Sequence, residues 1–224
     1  MTTSTMSLVR KFVGPRAPED ATTAERIKYR IPSLLLALAA VVLLVSIYFP
    51  WWSMTLMAPQ YPGGLEVQVY VNRMIGDVSE IDGLNHYIGM RPLEEAAQLE
   101  RSMSIVAISV ISLLVLAAIL IHTKWAVLFA LPAFLTPYVF LADMYYWMRN
   151  FGMNLDPTAP LSSAIDPFVP PILGEGVVGQ FRTIAAFEIG LYMAFLSGFL
   201  ILAGLYYHRR AYKPLVEELE AKAE

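Results

Sequence analysis

The sequence contains no cysteine. That excludes disulfide staples, thiolate zinc sites and cysteine-held iron–sulfur clusters, and it removes the usual marker of redox compartment. Charge is also scarce: 16% of the 224 residues are Asp, Glu, Lys or Arg, where soluble domains carry about 25%. Histidine occurs three times, at positions 86, 122 and 208. No zinc helix of the His-Glu-x-x-His kind is present, no phosphate-cradling glycine loop, and no serine–histidine–acid order. Catalysis has no constellation to stand on, and the chain reads as a non-enzyme. A net charge of −3 gives no basic footprint for nucleic acid.

Long apolar runs are what the chain has in plenty: 57% of it is hydrophobic. A bilayer core needs about 20 apolar residues per helix, and four segments qualify. They run from Ile31 to Trp52, Ser102 to Ile121, Trp125 to Met148 and Ile184 to Tyr207. Trp51, Trp52, Trp125 and Trp147 fall at their ends, where an interfacial aromatic belt belongs. A polar, Lys/Arg-bearing stretch precedes the first run, which is too long for a signal-peptide core and reads as a retained signal anchor.

Basic residues set the orientation. Arg10, Lys11, Arg16, Arg26, Lys28, Arg30, Lys124, Arg209, Arg210, Lys213 and Lys222 lie on one side of the four spans; Arg73, Arg91, Arg101, Arg149 and Arg182 lie on the other. The positive-inside rule then puts both termini in the cytoplasm and both long loops outside. The expected fold is an all-α protein of the bacterial inner membrane: four transmembrane helices, N-in and C-in, with a small mixed extracytoplasmic cap. Residues 1–30 and 209–224 are cytoplasmic tails. Residues 31–208 form one membrane domain including loops 53–101 and 149–183.

The cap is expected to be built from both loops. In loop one, Pro59, Pro62, Gly63 and Gly64 mark a turn, and Leu65 to Asn72 alternates apolar and polar as a half-buried strand does. Asp77 to Leu84 suits a short helical piece, and Pro92 to Arg101 a helix feeding span two. Loop two is rich in proline and glycine and shows no helical or strand period. Its Phe168, Val169, Ile172 and Leu173 predict extended segments packed on loop one. Thr22-x-x-Glu25 matches a capping box leading into span one, and Leu215 to Glu224 suits a helical extension of span four.

Two features carry candidate chemistry. His86 is the one histidine placed outside, and Met90 follows four residues later. Imidazole and thioether together suit copper, the thioether favouring Cu(I); a spacing of four puts both on one face of a helix, although Gly89 between them suits a turn equally well. Met54, Met57, Met74 and Met103 are candidates for a third ligand, and all nine methionines beyond the N-terminal tail fall outside or in the outer half of a span. The competing reading is a structural Asn85-His86-Tyr87 turn. The second feature is acidic: Asp143 and Glu188 fall in the outer thirds of spans three and four, where ionisable groups are costly and mark function. Arg149 and Arg182 lie six residues from them, placed to neutralise them. His122 and His208, at the cytoplasmic ends of spans two and four, are the only pair suggesting a membrane haem.

Two motifs, Ala58-Pro59-Gln60-Tyr61-Pro62-Gly63-Gly64-Leu65 and Gly83-Leu84-Asn85-His86-Tyr87-Ile88-Gly89-Met90, resemble a family of small multi-span bacterial membrane proteins. A third, Asn154-Leu155-Asp156-Pro157-x-Ala159-Pro160 with the later Pro167-Phe168-x-Pro170-Pro171, matches the same family, so the resemblance covers both loops. The family is associated with nitrous oxide respiration and copper-protein maturation. The resemblance implies a non-enzymatic accessory that aids copper delivery to, or assembly of, an extracytoplasmic copper or respiratory enzyme. Only His86 and Met90 carry over as candidate ligands; the cofactor is left unknown, with copper the candidate. The alternative is a structural or docking subunit of a larger membrane complex with no metal role, using Tyr61, Pro62, Asn85, Tyr87, Asp156 and Pro157 as loop contacts. A weaker third reading is a small transporter or haem-bearing subunit using Asp143 and Glu188.

Overall fold

A computed structural model describes residues 12–18, 22–161 and 163–221. It is 59% helical and contains four helices long and apolar enough to cross a membrane. These are α1 (Thr23–Ser46), α3 (Gln98–Ala118), α4 (Ala126–Met153) and α5 (Ile189–Ala221), while α2 (Val78–Ile88) is a short helix between the first two. Five strands accompany them: β1 (Trp52–Ala58), β2 (Tyr61–Val69), β3 (Met74–Gly76), β4 (Gly174–Val178) and β5 (Phe181–Phe187). The expected helix count holds, and the all-α class does not, because more than a third of loop one and part of loop two are strand. The described residues divide into two compact units.

One unit takes the residues before 46, those from 107 to 136 and those from 193 onward. Its helices meet through small side chains: Ala39, Ala40, Ala118, Ala130, Ala133 and Ala194 are all buried, as close packing between apolar helices requires. A Cβ on Gly204 would stand 3.0 Å from the Leu36 side chain. The buried Ser197 hydroxyl donates to the Ala39 carbonyl at 2.8 Å, tying α5 to α1. Leu34, Leu38 and Val41, three to four residues apart on α1, remain at least half exposed, an apolar stripe suited to lipid. The capping box is present: Thr22 N–H donates to the Glu25 carboxylate at 2.8 Å and Glu25 N–H to the Thr22 hydroxyl at 3.4 Å.

The other unit takes residues 46–106 and 137–192, and it centres on an antiparallel sheet in the order β3-β2-β1-β5-β4. The middle strand, β1, pairs with β2 of the same loop (Met54 opposite Val67) and with β5 of loop two (Met54 opposite Ala185). Trp52, Met54, Leu56 and Ala58 alternate inward along β1, giving the period-two face of a half-covered strand. They pack with Val67, Ile81, Ile88, Met90 and Phe151 in one core. Loop two does pack on loop one, but through main-chain pairing of β5 with β1; of the four side chains expected to drive it, Phe168 and Ile172 meet the core while Val169 and Leu173 are 40% and 56% exposed.

Several boundaries differ from expectation. Helix α1 ends at Ser46, six residues short of Trp52; Pro50 can neither donate to a helix nor leave its predecessor free to be helical. Trp51 and Trp52 are therefore not interfacial anchors but are 0% and 2% exposed inside the sheet unit. The Trp51 indole donates to the Ser46 carbonyl at the end of α1, and that of Trp52 to the Ile172 carbonyl at 2.7 Å. Residues 184–187 belong to β5, so α5 starts at Ile189 and Glu188 lies ahead of the span. The helix expected from Pro92 is interrupted: a 3-10 turn at Leu93–Glu95 is followed by Ala97 at φ 50°, and only then α3 begins.

Candidate functional site

All three motif segments lie in the sheet unit. The third is joined to the second by main-chain contacts around the end of α2. That helix stops because Gly89 adopts the left-handed conformation (φ 78°, ψ 13°), with Met90 N–H bonded back to the Asn85 carbonyl at 2.9 Å, the usual glycine-ended helix terminus. The Gly89 carbonyl then accepts the Asp156 N–H at 2.8 Å, and the Tyr87 carbonyl accepts the Leu161 N–H at 3.0 Å. A Cβ on Gly89 would sit 2.6 Å from the Asp156 carbonyl oxygen. Gly89 is thus required twice, by its own backbone angles and by the closeness of loop two.

Asp156 turns loop two at this point. Its carboxylate accepts the Thr158 hydroxyl at 2.7 Å and the Thr158 N–H at 2.8 Å, the local turn that Asp side chains favour. Those two bonds hold its pKa below the ordinary carboxylate value, and the nearby His86 adds to the effect. His86, Tyr87, Asp156 and Pro157 all face outward, and Tyr87 is 54% exposed. They form a ridge of aromatic, imidazole and carboxylate groups drawn from segments some seventy residues apart. Tyr61 and Pro62 lie elsewhere, at the β1–β2 hairpin, where Gly64 (φ 76°) sits over Met57 and Thr55.

The inner side of the same segment is apolar. Asn85 and Met90 are each 8% exposed and line a cavity of about 60 Å³ with Met54, Met148, Phe168 and Thr183. Asp82 lies beside it on α2 and accepts the Leu93 N–H at 2.6 Å. Burial raises the Asp82 pKa, outweighing the hydrogen bonds from Leu93 and Glu94.

The candidate ligands are accordingly separated. His86 is exposed on α2, whereas Met90 lies past the left-handed Gly89 and points into the core. A spacing of four shares a face only while the helix continues, and here it does not. His86 and Met90 do not fit one metal ion. Among the described residues no group of three or more His, Asp or Glu side chains is placed to hold a metal. Three thioethers, those of Met54, Met90 and Met148, do line one cavity; Met148 was not among the sequence candidates, and its period on α4 reads only as helix face.

The acidic pair also changes meaning. Asp143 is half-buried on α4, and no ion pair among the described residues joins it to Arg149. Glu188 is not inside a helix: its carboxylate accepts the Ser53 hydroxyl at 2.7 Å beside the β1–β5 pairing. Arg182 pairs instead with Glu175 across β4 and β5 at 2.5 Å. In the other unit, His122 and His208 do stand together, with ring centroids 5.8 Å apart and Tyr212 stacked on His122 at 4.0 Å.

Compared with models of protein families and with characterised proteins, the chain matches none.

Proposed function

We propose that the protein is a non-enzymatic accessory of the bacterial inner membrane whose two-loop unit docks a partner subunit or enzyme outside the cytoplasm. Eleven of sixteen Lys and Arg residues on the tail side support cytoplasmic termini and an exterior sheet unit by the positive-inside rule. The observation that carries the docking reading is the ridge at the motif junction. Main-chain bonds from Gly89 to Asp156 and from Tyr87 to Leu161 hold it, yet the side chains it presents make no part of the core. Rigid main chain beneath an exposed aromatic is what an interface anchor needs, and the ordering cost has been met before the partner arrives.

The test is a mild-detergent pull-down of the full chain from its own membranes, with metal analysis of the recovered complex. Tyr87→Ser with Pro157→Ala removes ridge side chains and leaves the core untouched. Loss of the same identified partner in that variant, with wild-type expression, supports docking. Unchanged recovery, or a chain that purifies alone, refutes it.

A second reading is aid to a copper enzyme, which the family resemblance implies. It is favoured by the three thioethers lining one cavity, since soft ligands of this type select Cu(I). The residues that would hold the ion are Met54, Met90 and Met148, not His86. Purified protein that takes up Cu(I) in proportion to these methionines, with loss in the Met90→Leu variant, separates it from docking without metal.

A further inference from the structure

The turn between α3 and α4 and the C-terminal half of α5 line a cavity of about 670 Å³ that neither reading above uses. Its volume lies in the range of small-molecule sites, and its lining is graded along α5. Leu202 and Leu205 come first, His208 and Arg209 next, then Lys213. Lys124 and His122 face them from the turn. The site is therefore apolar at one end and cationic at the other, within a segment long and apolar enough to cross a membrane. Lys213 is partly engaged by Glu217 at 3.4 Å, whereas Lys124 and Arg209 form no ion pair among the described residues.

Two histidines flank the cavity. His208 is 4% exposed, and its Nε2 and the Nδ1 of His122 are sealed from solvent, so neither nitrogen is offered to a ligand. Burial is the main cause that holds the His122 ring below its usual pKa, with Arg16 adding to it, against the hydrogen bond to the Pro15 main chain.

We infer that this cavity binds an anionic glycerophospholipid, its phosphate on Lys124 and Arg209 and an acyl chain along Leu202 and Leu205. Basic pockets among membrane helices bind acidic lipid heads in this manner. The lipid would also close the gap between α5 and the α3–α4 turn.

Native mass spectrometry of the full chain in mild detergent tests this, using phosphatidylglycerol, phosphatidic acid and phosphatidylcholine of identical acyl chains, with glycerol 3-phosphate as the soluble control. Phosphatidylglycerol should be retained in preference to phosphatidylcholine. Lys124→Gln with Arg209→Gln, both at exposed positions, should weaken its retention about thirty-fold, a factor of about five per cation, and leave phosphatidylcholine unchanged. Phosphatidic acid, whose phosphate meets the same cations, should be retained in preference to phosphatidylcholine as well. Equal retention of anionic and zwitterionic lipid, or no effect of the double variant, overturns the inference. So does protection by glycerol 3-phosphate alone, which would make the site one for a soluble phosphate ester.

Discussion

Replacing Gly89 with alanine adds a single methyl group at the junction of loops one and two, and its consequence can be worked from the coordinates. At φ 78° an L-residue is in the left-handed region, which costs about 1–2 kcal/mol. The new Cβ would stand 2.6 Å from the Asp156 carbonyl oxygen and 2.8 Å from its nitrogen. Both are main-chain atoms, which cannot swing aside as a side-chain tip does. Loop two must withdraw, and the Asp156–Gly89 hydrogen bond is lost with it, worth about 1 kcal/mol. The total is about 3 kcal/mol, confined to the junction. Global unfolding is a poor assay for a membrane protein that need not unfold in two states. Hydrogen exchange is the better one, because it reports local opening. In Gly89→Ala the amides of Asp156 and Leu161 should exchange about 150-fold faster, at tenfold per 1.36 kcal/mol, while those of β1 hold. Gly83→Ala on the same helix is the internal control: nothing lies within 4 Å of its added Cβ, so the substitution should stabilise α2 by about 0.5–1 kcal/mol. Unchanged exchange at Asp156 and Leu161 in Gly89→Ala, or equal effects of the two alanines, would show that Gly89 is not what holds the two loops together.

Other consequences are open to measurement. Trp52→Ala should destabilise the sheet unit by about 3–5 kcal/mol, because a 2%-exposed indole and its bond to Ile172 are lost together; thermal aggregation in detergent should show a large shift, with Trp52→Phe between it and wild type. Ser197→Ala removes a buried bond between α5 and α1, yet such bonds in membranes average about 0.6 kcal/mol, so a midpoint shift larger than that of Trp52→Ala would contradict the packing account. Asp82 has its pKa raised by burial, so the favourable contribution of its protonated form is complete at low pH and fades as pH rises through the folded-state pKa. Asp82→Asn keeps an acceptor for Leu93 and should raise the thermal midpoint at neutral pH but not in acid; a loss at neutral pH would show the hydrogen bond outweighing burial. Asp156 has the opposite sign: its pKa is lowered, so its stabilisation holds above about 4 and falls away below, and exchange at Thr158 N–H should quicken on acidification in wild type but not in Asp156→Ala.

The strand β1 shows how far the sequence could be read. Trp52, Ser53, Met54, Thr55 and Leu56 alternate apolar and polar, so a period-two signal was present. It was hidden by the continuous apolar run before it, which extends the first span past Pro50 on hydropathy alone. The same confusion at the other end drew residues 184–187 of β5 into the fourth span and placed Glu188 at membrane depth. Apolar strand and apolar helix look alike over a few residues, and only pairing distinguishes them. The His86–Met90 spacing failed for a different reason. A spacing argument assumes an unbroken helix, and Gly89, visible in the sequence, was the residue that broke it.

Residue type and order were enough for the four apolar spans, the capping box at Thr22 and Glu25, and the lack of any thiol. These follow from residue type and local period, which need no knowledge of what lies opposite in space. Tertiary structure alone decided that loops one and two share a sheet, that Trp51 and Trp52 are core, that His86 faces out while Met90 faces in, and that three distant methionines line one cavity. Each depends on contacts between segments tens of residues apart. Register between such segments is set by which side chains can be buried together, a property of pairs that no single stretch of the chain contains.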